Sequence, residues 1–140
     1  MAEKKKIRLR VITPQEIKFD EEIDMVIFRC TTGYLGVLPG HERRSAVLDF
    51  GVMRIISGDA SERWLAVFGG IAEISNDVVT VVSSAAEWPE DVDLETAKAE
   101  RERLERQIQE HEDDIEIQRD QALIWRELVR VELTKYPFLK

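Results

Sequence analysis

Up to about residue 88 the apolar positions recur with a period of two. "IRLRVI" (7–12) sets Ile7, Leu9 and Val11 against Arg8 and Arg10, and "IKF" (17–19) repeats the alternation with Ile17 and Phe19. "MVIFRC" (25–30) is more continuously apolar, the pattern of a strand covered on both faces. Further strands are expected at 44–49, 52–56, 63–68, 71–74 and 78–83. Turn chemistry separates these runs: Thr13-Pro14, Asp20 to Glu22, Gly33 to Gly40, Gly51, Ser57 to Asp59, Gly69-Gly70 and Asn76-Asp77. The last pair joins "IAEIS" to "VVTVVSS" and predicts a short hairpin. About eight to ten short strands without interleaved helices point to a sandwich or barrel, not to a parallel sheet.

"EWPEDVD" (87–93) breaks the pattern. Pro89 ends the last extended run, and Asp93 is placed to cap a helix whose first turn is acidic. From there to about 135 the chain lacks glycine and proline and is rich in Ala, Glu, Arg, Gln and Leu, all strong helix formers. Four polar residues at "HEDD" (111–114) interrupt the apolar spacing, and Asp113 or Asp114 can cap a second helix. The predicted fold is therefore α+β: an N-terminal β-sandwich over 1–88 and a C-terminal antiparallel two-helix hairpin over 89–140.

The two helices differ. Leu94, Ala97, Leu104 and Ile108 give the first a narrow stripe, enough for one partner. The second carries one stripe of Ile117, Ile124, Leu128 and Val131 and another of Ala122, Trp125, Val129 and Leu133. Together these cover about half the circumference at ~100° per residue, more than a two-helix seam needs. The second stripe either packs on the sandwich or serves a further surface, in another protein or another conformation. Arg119, Arg126 and Arg130 share a strip beside the apolar face, with Glu116, Asp120 and Glu127 on the next. Pairing at i,i+4 on a solvated face accounts for most of this. Three arginines in line also suit a carboxylate cluster or a phosphate.

Composition narrows the partners. A formal net charge of −8 over 140 residues excludes a general nucleic-acid binder, which needs a basic face. The one basic cluster, Lys4, Lys5, Lys6, Arg8 and Arg10, is expected as a solvated N-terminus running into an edge strand. Cys30 is the single cysteine, so no internal disulfide forms; in its apolar run it is expected to be a buried, inert thiol. No apolar stretch reaches the ~18 residues that span a bilayer, and the N-terminus shows no signal-peptide core. Membrane association would come through a partner.

The chemistry of catalysis is missing. His41 and His111 stand far apart with one cysteine for company, so no metal site is expected. A phosphate-binding loop fails because Gly40 is followed by His41 and Glu42 and not by Lys-Ser or Lys-Thr. No serine sits in a nucleophile elbow, and no catalytic residue is assigned. "GYLGVLPGH" (33–41) is then an exposed, shaped loop. Pro39-Gly40 fits a type II turn, and Tyr34, Leu35, Val37 and Leu38 are presented together, either tucked into the sandwich end or docked on a neighbour.

With these segments in order, the chain resembles the epsilon subunits of rotary F-type ATP synthases of the bacterial type over residues 7 to 135. "GYLGVLPGH" is similar to that family's G-E-L-G-I-L-P-G-H, and "FGVMRI" (50–55) to its P-G-V-L-R-I. "AVFGGIAEISNDVVTVVSSAAE" (66–87) is similar to its A-V-S-G-G-F-L-E-V-x-x-N-x-V-T-V-L-A-D-T-A-E. The resemblance implies a non-catalytic central-stalk subunit that couples rotation to ATP synthesis, bound to the gamma subunit and touching the c-ring. Membrane contact would be through the complex only, at the cytoplasmic face of the plasma membrane. Contact with the c-ring falls on Tyr34, Leu35 and His41. The hairpin would lie folded on the sandwich or extend among the alpha and beta subunits. There it hinders ATP hydrolysis, with Arg119, Arg126 and Arg130 facing acidic loops. No cofactor is required. Some relatives bind ATP as a regulatory ligand through I-D-x-x-R-A. The matching residues here are Val92 to Ala97, with Asp93 kept and Thr96 in place of the arginine. Glu87, Arg103, Arg126 and Arg130 fall where other nucleotide contacts are expected. Losing that guanidinium removes a charge-assisted contact of ~1.5–3 kcal/mol. Two further departures are Tyr34, where many relatives carry Glu, and "HERRSAV" without the usual A-P-L after His41. The alternative function is a free-standing soluble nucleotide sensor.

Overall fold

The computed structural model describes residues 5–58, 61–110 and 114–134. Eight strands form one sheet: β1 (Ile7–Ile12), β2 (Ile17–Ile23), β3 (Met25–Cys30), β4 (Gly33–Val37), β5 (Arg44–Ser57), β6 (Ser61–Ser75), β7 (Val78–Val82) and β8 (Ala86–Glu87). The order is β2-β1-β7-β6-β5-β3-β4, with β8 added to β6. All pairings are antiparallel except β1 with β7. A short 3-10 turn (Pro89–Asp91) leads to α1 (Leu94–Glu110) and α2 (Asp114–Leu133), which pack on each other.

The sheet closes into a sandwich because β5 and β6 are long and change face midway. On β5 the core residues are Ala46 and Leu48, then Met53 and Ile55; on β6 they are Leu65 and Val67, then Ala72 and Ile74. Even and odd positions exchange roles around Gly51 and Gly69-Gly70. The sequence pattern treats these glycines as turns between separate strands, but both strands run through them. Gly70 has φ +120°, and a Cβ there would lie 2.1 Å from the Val82 carbonyl oxygen. The kink thus needs glycine because backbone meets backbone. Beyond it β6 leaves β8 and pairs with β7.

Other expectations are corrected. β1 is not an edge strand but lies between β2 and β7, and its basic residues pair with Asp20 (Arg8 at 2.7 Å, Arg10 at 3.7 Å). β3 alternates, burying Val26, Phe28 and Cys30 while Met25, Ile27 and Arg29 are half-buried. Cys30 is buried as expected, and that burial pushes its thiol pKa up. The Asn76-Asp77 hairpin forms as predicted, both residues with positive φ.

Asp93 caps α1. Its carboxylate accepts from the Glu95 and Thr96 amides at 3.1 and 3.3 Å and from the Thr96 hydroxyl at 2.8 Å. Those bonds, the Thr96 hydroxyl first, hold the Asp93 carboxyl below its ordinary pKa. Just upstream, Trp88 packs on the main core, 6.1 Å from the Phe19 ring, with the Arg63 guanidinium 4.1 Å from its own ring. The sandwich therefore ends on a fixed aromatic anchor, and the helices start after it.

Candidate functional site

Three surfaces carry the features that could act on other molecules. The first is the seat of α2. Val129 and Leu133 from one stripe bury against Val52, Trp64, Ala66 and Phe68 on the outer face of β5 and β6. This strip of β6 is covered on both sides, because Leu65 and Val67 point the other way into the main core. Phe68 is the centre of the seat. Arg126 and Arg130 lie over its ring at 5.0 and 5.5 Å, and Phe50 meets it edge-on at 5.6 Å. Trp125 caps one end, donating to the Phe50 carbonyl at 3.4 Å beneath Arg29.

The seat does not use the whole apolar arc. Ala122 of the same stripe, with Leu123 and Leu128, remains exposed, and Trp125 is covered only in part. The side chains of Ile108, Glu116, Ile117 and Asp120, and residues His111 and Asp113, lie outside the described residues. Arg119 is exposed, so the three arginines do not form one solvated strip: two of them bend over Phe68.

Beside the seat is a cleft of about 220 Å³ between the segment 87–97 and α2. Arg130 donates to both carboxylate oxygens of Glu87 at 2.7 and 2.8 Å and also to Glu127. Glu127 was expected on a solvated face and is instead buried. The helical strip turns inward there because the neighbouring Val129 and Leu133 fix the rotation of α2. Burial pushes the Glu127 carboxyl pKa up, against the pull of Arg130. Asp93, Thr96 and Asp91 complete the lining, so four carboxylates face one paired guanidinium.

Of the residues matched to a nucleotide site, Glu87, Asp93 and Arg130 thus meet in one cleft. Arg126 lies next to it over Phe68, its Nε buried without a hydrogen-bond partner among the described residues. Arg103 sits on the exposed side of α1, bonded to Glu100.

The second surface is the segment 33–41. It is not a free loop: Gly33–Val37 is the edge strand β4, closed onto β3 by the two-residue turn Thr31-Thr32. Its apolar residues are therefore split. Val37 is in the core, Leu35 is half-buried, and Tyr34 and Leu38 project outward. The Leu38–His41 turn closes with the His41 amide donating to Leu38 at 3.2 Å and with Gly40 at φ +85°, as a type II turn requires. The Gly40 amide donates to Asp77 at 2.7 Å, tying this turn to the β6–β7 hairpin. His41 is half-buried, its Nδ1 2.7 Å from the Glu42 carbonyl.

The third surface was not anticipated. Val47, Ile71, Val82, Ile12 and Ile17 are successive cross-strand partners on β5, β6, β7, β1 and β2. Direct partners share a face, and this face is the outer one. Ile12 is half-buried and the other four are each more than half exposed. Five strands at ~4.8 Å spacing make an apolar row ~19 Å wide. The signal was present in the chain for four of the five: Val47, Ile71, Val82 and Ile12 are apolar side chains out of phase with the buried set on their own strands, whereas Ile17 is in phase with Phe19 and comes opposite Ile12 at a register shift.

Among the described residues no cluster of His, Cys, Asp and Glu could hold a metal ion, and no helix is long and apolar enough to cross a membrane.

Comparison with known proteins now bears on these surfaces. Residues 6–89 match the family described as "ATP synthase, Delta/Epsilon chain, beta-sandwich domain". The chain is 34% identical over 125 residues to an ATP synthase epsilon chain of Caldicellulosiruptor saccharolyticus, covering 89% of this chain and 90% of that one. It is 42% identical over 105 residues to the epsilon chain of Anoxybacillus flavithermus, covering 75% and 78%. A chain in the structure of the Euglena gracilis mitochondrial ATP synthase, OSCP/F1/c-ring, shares the fold with a TM-score of 0.83 at 20% identity, over 94% of this chain and 82% of that one.

Proposed function

Because the chain belongs to the ATP synthase epsilon-chain family, we propose that it is a non-catalytic central-stalk subunit that couples rotation to ATP synthesis in an ion-translocating complex. The observation that supports this best is the outward apolar row Val47–Ile71–Val82–Ile12–Ile17. A contiguous exposed apolar strip marks a surface that a partner covers. The gamma subunit is the partner we assign to it. Tyr34, Leu35 and His41 at the β4 end are assigned to the c-ring, with Tyr34 and Leu38 as the side chains that project furthest. The membrane is then reached only through the complex, at the cytoplasmic face. Replacing Ile71 with Asp places a charge mid-row without touching the core. Gamma binding by the full chain should fall at least tenfold with Tm unchanged. Unaltered binding would remove the row from the interface.

The hairpin is the regulatory part of this reading. Its seat on the sandwich is small and partly charged, which supports release. On release Arg126 and Arg130 leave Phe68 and Glu87 and, with Arg119, become available to acidic loops of the alpha and beta subunits. ATP hydrolysis is inhibited in that state. No cofactor is needed for the seated pose, because Glu87 and Glu127 already satisfy Arg130. ATP acting as a regulatory ligand here would have to displace Glu87 amid the other carboxylates of the cleft.

A further inference from the structure

Glu127 is a buried acid at the edge of the seat. A buried acid costs free energy unless it is neutral or fully paired. Among the described residues its hydrogen-bonded cation is Arg130, which is already held by both oxygens of Glu87. The other groups facing it are unevenly signed. Arg126 comes from its own helix and Glu100, bonded to Arg103, from α1. Glu87, Asp91 and Asp93 come from the segment leading into α1. Glu127 therefore shares its hydrogen-bonded guanidinium with a competitor, with Arg126 nearby and further carboxylates around it.

We propose, on the reading of the hairpin as a releasable arm, that Glu127 is a proton-operated catch: protonated, it holds α2 on the sandwich, and ionised, it favours release. A protonated carboxyl donates one hydrogen bond and buries without a net charge, leaving Arg130 to Glu87 alone. An ionised one must be desolvated and must compete with Glu87 for the same cation. On release it regains water.

The sign follows from which environments change. Burial raises the Glu127 pKa in the seated state, and a released α2 exposes the carboxyl and restores its ordinary value. The seated state thus binds the proton more tightly. Its advantage is complete below the ordinary carboxylate value and is lost as pH rises through the raised one. Two nearby acids do not reverse this. Glu100 is held down first by Arg103 on its own helix, and Asp93 first by Thr96 within its own cap, and both pairs survive release. Acidification accordingly favours the seated, non-inhibiting pose.

The test uses the full chain with Cys30→Ser, labelled with a donor–acceptor dye pair at Thr32→Cys on the β3–β4 turn and Arg119→Cys on α2. Transfer efficiency reports seated against released hairpin from pH 4 to pH 8. In the parent the seated-to-released ratio should rise several-fold on acidification, with a slope of at most about tenfold per pH unit for one proton. With Glu127→Gln the ratio should be flat across that range and sit at or above the parent's acid value, because the amide is neutral at every pH. A parent ratio that is flat or falls on acidification, or a Glu127→Gln slope equal to the parent's, overturns the catch. Val129→Asp separates the two levels, since it breaks the apolar seat itself. If it releases the arm while Glu127→Gln keeps the parent's slope, only the catch fails. If the arm stays seated even there, the releasable arm fails and the catch with it.

Discussion

Replacing Phe68 with Ala should release α2 while leaving the sandwich folded. Phe68 is 3% exposed, yet all of its partners belong to the seat: Arg126 and Arg130 over its face, Phe50 at its edge, Val129 and Leu133 in the same cluster. Burial of a Phe side chain contributes ~1.5–3 kcal/mol, an edge-on aromatic pair ~0.5–1.5, and each partly exposed cation–π contact ~0.5–1. These terms overlap, and ~3 kcal/mol is a fair total, toward the low end of the ~3–5 found for Phe→Ala in full cores. That magnitude shifts the seated-to-released ratio by about two orders of magnitude. Released helices of this length are marginal by themselves, so amide exchange at Val129 to Leu133 should speed up about a hundredfold. Amides of Leu65 and Val67, which face the main core, should keep their protection. Two results would refute the reasoning. Unchanged exchange in α2 would mean that Phe68 is not the seat. Equal loss of protection in β6 would mean that arm and sandwich are one cooperative unit.

Further expectations follow from single positions. Gly70→Ala forces a Cβ onto the Val82 carbonyl at a φ that side chains rarely adopt, with no flexible group to yield. Strain of that kind costs ~1–3 kcal/mol before the clash is counted, so Tm by calorimetry should fall by roughly 10 °C or more, if the chain accumulates in soluble form at all. Asp93→Ala removes the α1 cap and should lower helicity by far-UV circular dichroism. The Asp93 pKa is lowered in the fold, so its stabilising effect is present above the ordinary carboxylate value and lost as pH falls through the lowered one. Acid titration of the parent should show that loss, and the Ala variant should lack it.

Much of this architecture was legible in the chain because local chemistry decided it. Alternation placed β1, a continuous apolar run placed β3, Asn76-Asp77 placed the hairpin into β7, and Asp93 placed the start of α1. What was misread depended on distant partners. Gly51 and Gly69-Gly70 carry turn chemistry, but strand pairing on either side overrides it and turns them into a corner within β5 and β6. Gly33 to Val37 looked like a loop because its glycines mask a strand that only β3 creates. Glu127 looked solvated because helical spacing cannot tell which side will meet a cleft. The outer row was hidden for a related reason: four of its members appear as single exceptions on four separate strands, Ile17 follows the buried alternation of its own, and only the register lines the five up.

The most direct test of the releasable arm is to lock it in the assembled complex. Phe50→Cys and Trp125→Cys, in a Cys30→Ser background, can be joined by a short, reducible, thiol-reactive crosslinker where the Trp125 indole now reaches the Phe50 carbonyl at 3.4 Å. ATP hydrolysis is then measured before and after reduction. The account predicts fast hydrolysis with the arm tied down and inhibited hydrolysis once it is freed. Equal rates in the two states would contradict it and leave the hairpin a passive part of the stalk.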